Sequence, residues 1–232
     1  MRRGQVLHYA GWMLLDRVLP RYGACLLISS ALLLPLHFTM STNPPPLNAL
    51  PRVLASVHQV CAIIFVLLFA NGLISTDRLA GYFRFYFARP ASPLWFYGQH
   101  TVLALAGTLA ASASLIGMFA IAVAPVWTFS LLLGALALFC LVGVPVVIFS
   151  ALSRHDWVWA IVAWMVGSYL RARFAAGDSW FGAILNALLP PYQVLSVDHR
   201  VTGWEWAWLA AWSAGVIAAT LLVLARRPLA ED

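Results

Sequence analysis

Two polar pairs, His58-Gln59 and Gln99-His100, stand inside stretches that are otherwise almost wholly apolar. Imidazole and carboxamide groups can hydrogen-bond a cargo or relay a proton, and polar groups at such depth are costly and often functional. His58 lies near the outer start of the second apolar run and His100 near the inner start of the third, where water or a carbonyl could also satisfy them. Asn71, with Gly72, sits near the inner end of the second run and can hydrogen-bond or pack against another helix. His58, Gln59, Asn71, Gln99 and His100 are therefore the candidate lining of a substrate path. Acid chemistry is thinner: Asp178, Asp198, His199 and Glu205 would have to converge across a loop to hold a metal or form a dyad. No HExxH, GxSxG or paired-histidine spacing occurs, so no catalytic or metal residue is assigned. Cys25, Cys61 and Cys140 all fall in apolar runs with no CxxC spacing and read as small packing residues. The chain has no lysine, and a P-loop needs one to reach nucleotide phosphates. If a nucleoside triphosphate powers this protein, a different polypeptide binds it, and no cofactor is expected in this chain.

These residues must be positioned by elements that live in a bilayer. Of 232 residues, 62% are hydrophobic and 9% charged, and the mean hydropathy is +0.85. Soluble domains carry about 25% charged residues, so this composition could not dress a water-facing surface. The formal charge of +6 comes from arginines clustered at the ends of apolar runs. That is the pattern of topology charges rather than of a nucleic-acid surface.

A spanning helix needs about 20 apolar residues, and six runs meet or approach this: 22–40, 54–74, 94–123, 127–152, 157–174 and 204–225. Residues 1–20 read as an amphipathic helix lying at the inner membrane surface rather than as a signal peptide, because His8, Asp16 and Arg17 interrupt the apolar part. Prolines forbid helix in the 41–52 link. The external piece 175–203 holds a ten-residue apolar stretch from Trp180, too short to cross, which reads as a re-entrant or interfacial helix. With both termini inside, Arg2, Arg3, Arg17, Arg21, Arg78, Arg84, Arg89, Arg154, Arg226 and Arg227 lie inside, and Arg52, Arg171, Arg173 and Arg200 outside. The inside excess supports that orientation, and Arg171 and Arg173 are its discordant pair. The expected fold is thus all-α, with six membrane crossings in a single transmembrane domain.

The segment Ser75–His100 is too polar to cross and too aromatic for a solvated loop. On a helical wheel Asp77, Arg78, Gly81, Arg84, Ala88 and Arg89 share one side with Phe85, and Leu79, Tyr82, Phe83, Tyr86 and Phe87 take the other. Pro90 ends the helix and Pro93 delays its resumption. The reading is a short cytoplasmic helix over 76–92, parallel to the membrane, whose exposed Phe85 between arginines fits a protein partner. Asp77, Gly81, Arg89, Pro90, Ala91, Ser92 and Gly98 reproduce an order of acidic residue, glycine and Pro-Ala-Ser step. In this the chain resembles the ABC-2 type transporter permeases, whose coupling helix between spans two and three carries that order. It departs from them in its aromatic run Tyr82–Phe87.

The resemblance implies a permease subunit of an ATP-driven exporter, paired with a second permease as homodimer or heterodimer. A separate ATPase subunit would carry ATP and Mg and dock on residues 77–92. Asp77, Gly81, Arg89, Pro90 and Ser92 come from the shared motif, whereas Arg78, Arg84 and Phe85 are docking candidates from the wheel. It also implies a bacterial inner membrane setting among lipids, with no catalysis in this chain. The few charges within the spans favour an apolar or amphipathic cargo. The alternatives are a membrane-embedded enzyme and a haem-exporter-like permease of cytochrome c maturation.

Overall fold

The computed structural model describes residues 11–76, 93–153, 155–174, 180–189 and 201–226. Among them the chain is all helical, in seven helices. Helix α1 is Gly11–Thr42, α2 Leu50–Ala70 and α3 Pro93–Ala122. Helix α4 runs from Phe129–Leu138 through a π-turn at Phe139–Gly143 into Val144–Leu152. Helices α5, α6 and α7 are Asp156–Phe174, Trp180–Leu188 and Gly203–Arg226. Helices α1 to α4 are long and apolar enough to cross a membrane, so the chain is a multi-pass membrane protein.

Helix α2 is the centre of the bundle. Leu54, His58, Cys61, Ala62, Phe65, Val66, Phe69 and Ala70 are all buried on it, and it packs against α1, α3 and α4. The spacing of these residues repeats at three and four, which puts them on one face. Close approach to α3 depends on Gly107: a Cβ there would stand 2.5 Å from the Phe69 ring. Across the bundle, Tyr22 and Ser114 share a hydroxyl hydrogen bond of 2.6 Å between α1 and α3, and His37 Nδ1 pairs with the Ala122 carbonyl. Helix α4 packs in turn on α5 and α7.

Three boundaries differ from the sequence expectation. The link between the first two apolar helices is shorter than its prolines implied: the first helix runs to Thr42, Leu47–Ala49 form a 3-10 turn, and the second helix starts at Leu50, with Pro51 in its first turn, where the missing amide costs no helix hydrogen bond. Residues 11–20 are not a separate interfacial helix but run unbroken into the first apolar helix. Pro20 fails to divide them because a π-turn at Leu14–Val18 precedes it, with Leu19 N–H donating to Leu14 O, and the wider turn makes room for the proline ring. Residues 1–10 lie outside the described residues. The second apolar helix ends at Ala70, four residues before Ile74, because Asn71 turns to extended backbone and Gly72 takes φ +71°. The ten-residue stretch from Trp180 does form a short helix, α6, with Trp180, Phe181 and Ile184 exposed.

Candidate functional site

The end of α2 sets up the site. A helix leaves its last carbonyls and the following turn leaves its amides without intrahelical partners. Here three other helices supply them. Arg21 of α1 donates from Nη1 to Phe69 O at 2.9 Å and from Nη2 to Asn71 O at 3.1 Å. Asp156, the first residue of α5, accepts the Gly72 N–H on Oδ2 at 2.8 Å. Ser150, near the end of α4, accepts the Ile74 and Ser75 N–H groups on Oγ at 2.9 and 3.0 Å. Its own proton points toward Ser75 Oγ, 3.4 Å away, so the hydroxyl uses both donor and acceptor capacity.

Asp156 also accepts the Trp157 N–H on Oδ1 at 2.8 Å. One carboxylate therefore caps the first turn of α5 and holds the turn after α2. A negative charge at a helix N-terminus is favoured by the helix dipole, and Asp156 is 0% exposed. Only glycine accepts φ +71° cheaply, so Gly72 makes the backbone path to this carboxylate possible. Arg21 of α1, the end of α2, the end of α4 and the start of α5 thus meet around residues 71–76.

Beside the clamp lies a cavity of about 20 Å³, with Arg17, Arg21 and His100 on its polar wall and Phe69 and Leu73 on its apolar wall. Of the five expected path residues, His100 alone lines it. His58 is 3% exposed and faces the core of α2, and its Nε2 has no hydrogen-bond partner. Gln59 and Gln99 are half-buried and Asn71 is exposed. Asp77, Arg78, Gly81, Arg84, Phe85, Arg89, Pro90 and Ser92 lie outside the described residues, whereas Gly98 is exposed on α3 with open space around it.

No family model, no curated protein and no solved structure matches this chain.

The site must therefore be judged by its own chemistry. Its side chains bind backbone rather than a reactant, so what the clamp can do is hold and transmit. Among the described residues no group of three or more His, Cys, Asp or Glu could hold a metal ion. Glu205 belongs to a capping box: its carboxylate accepts the Thr202 N–H at 2.8 Å, and Thr202 Oγ1 accepts the Glu205 N–H at 3.4 Å. Asp178, Asp198 and His199 lie outside the described residues. Sequence reasoning missed Arg21, Ser150 and Asp156 as site residues. A local signal existed for two parts of the clamp: Asn71-Gly72 is a turn dipeptide, and Asp156 directly precedes an apolar run, where a helix-starting acid belongs.

Proposed function

We propose that the chain is the transmembrane permease subunit of an ATP-driven exporter of the ABC-2 kind. It works as a dimer with a copy or a relative of itself in a bacterial inner membrane, with six crossings and both termini in the cytoplasm. Helices α5 and α7 supply the last two crossings. ATP and Mg are held by a separate ATPase, whose groove takes the segment 77–92. The observation that carries this reading is the clamp at residues 71–76, immediately ahead of that segment. A motor that pulls on residues 77–92 needs its force delivered to the bundle rather than dissipated in a loose link. Here the lead-in is tied to α1, α4 and α5 by four hydrogen bonds with Arg21, Ser150 and Asp156, and a fifth joins Arg21 to Phe69 just ahead of it. Coupling of this kind requires a contiguous stiff connection between partner and spans.

Association with a separate ATP-binding-cassette ATPase is the test. Phe85→Ala combined with Arg84→Glu removes the apolar knob and inverts a docking charge. The expected outcome is loss of copurification and of permease-stimulated ATP hydrolysis. Unchanged association and unchanged stimulation would discard docking through this segment.

A further inference from the structure

Helix α2 turns a second side outward, opposite to the one that builds the core. Ser56, Gln59, Val60, Ile63 and Leu67 recur at three and four residues and share that side. Ser56 and Val60 are exposed, and Gln59, Ile63 and Leu67 are half-buried. Gln59 stands near the middle of Leu50–Ala70, in a helix long and apolar enough to cross a membrane. Among the described residues, neither the Ser56 nor the Gln59 side chain has a hydrogen-bond partner. By contrast, Ser29 and Ser30 of α1 and Thr101 and Thr108 of α3 each donate to the carbonyl four residues earlier.

Acyl chains offer a carboxamide at that depth neither donor nor acceptor, so an outward Gln59 is costly in lipid alone. A carboxamide carries both an NH₂ donor and a carbonyl acceptor, which makes it its own complement. Two copies of Gln59 face to face bond twice, each NH₂ donating to the other carbonyl. A twofold axis brings about just this meeting, because on the axis a residue contacts the same residue of the other chain. Ser56, one turn earlier, is short enough to let two helices approach, and its hydroxyl can bond across them. Val60, Ile63 and Leu67 supply apolar contact on the same side. Arg52, exposed at the outer end of this side, lies about 10 Å along the axis from Gln59. Crossing helices have separated by that distance, and water screens one arginine from the other.

We infer that the Ser56–Gln59 side of α2 is the seam with a second copy of this chain, the two Gln59 carboxamides pairing across a twofold axis. The inference deepens the dimer of the proposed function by naming its contact, and it does not depend on the ATPase. Full-length protein with one fluorophore per chain is reconstituted into phosphatidylethanolamine–phosphatidylglycerol vesicles, and bleaching steps are counted as the protein is diluted in lipid. Wild type is expected to bleach in two steps at high density. Gln59→Leu is expected to raise the dimer dissociation constant about tenfold, the scale of one or two interhelical hydrogen bonds, and Gln59→Asn to raise it less. A second measurement leaves Gln59 in place, so a folding failure of Gln59→Leu leaves the test intact. Cys25, Cys61 and Cys140 are changed to Ala, and single cysteines are introduced. Ser56→Cys is expected to cross-link into a dimer under a membrane-permeant oxidant. Leu27→Cys on α1 and Val102→Cys on α3, at positions 73% and 65% exposed, are expected not to. A wild type that bleaches in one step at every density overturns the second copy as partner, and the ATPase association then tests the permease reading by itself. A dimer that folded Gln59→Leu leaves intact, or that cross-links at Leu27 or Val102 rather than at Ser56, keeps the dimer and overturns this seam.

Discussion

Asp156 shows how one side chain can matter at two places. Removing its carboxylate strands the Gly72 and Trp157 amides, and a buried amide left without a partner costs about 1–3 kcal/mol. Asp156→Ala is therefore expected to lower the thermal unfolding midpoint in detergent clearly, whereas Asp156→Asn, which keeps a carbonyl oxygen, loses less. Ser150 carries a comparable load, since Ser150→Ala strands the Ile74 and Ser75 amides together. Gly72 is constrained differently. At φ +71° an alanine costs roughly 1–2 kcal/mol from backbone sterics alone. Its Cβ would also stand 2.6 Å from Thr76 Oγ1. Adding Thr76→Ala to Gly72→Ala removes the contact but not the backbone strain, so stability should recover only in part. Full recovery in the same unfolding assay would mean that crowding, not the left-handed backbone, sets the requirement for glycine. Because Gly72 and Asp156 share one bond, Gly72→Ala and Asp156→Ala should also combine non-additively.

At the scale of elements, two prolines within long helices are handled by one device. Pro20 follows the π-turn Leu14–Val18, and Pro145 follows the π-turn Phe139–Gly143, where Val144 N–H donates to Phe139 O. In each case the widened turn sits directly ahead of the residue that cannot donate, which lets an apolar helix pass through proline without ending. Helix packing carries its own prediction. Gly107→Ala would drive a methyl into the Phe69 ring and is expected to cost about 1–3 kcal/mol by overpacking. Phe69→Leu in that background should return much of it, and an unfolding series of the two single variants and the double variant checks this. The discordant Arg171 also has a local explanation, because its Nη1 donates to Leu189 O at the end of α6 at 3.1 Å. It ties α6 to α5, so its position reflects a structural hydrogen bond rather than topology alone.

For the whole molecule, what was legible in the sequence depended on range. The six apolar runs all fall on helices, with ends moved by at most a few residues apart from the first and second, because hydrophobic length is read from neighbours along the chain. The clamp was not legible in that way. Arg21 reaches Phe69 across 48 positions, Ser150 reaches Ile74 across 76, and Asp156 reaches Gly72 across 84. No periodicity connects residues so far apart; only the packing of α1, α4 and α5 around the end of α2 does. This separation gives the proposed function a sharper test than docking alone. Ser150→Ala and Asp156→Asn leave residues 77–92 chemically untouched, so the ATPase should still bind. If the clamp passes movement from that segment to the spans, these variants should lose most of the permease-dependent stimulation of ATP hydrolysis, and cargo export from vesicles, while copurification holds. Variants that bind, stimulate and export like wild type would show that force enters the bundle by another route, through Pro93 and the start of α3.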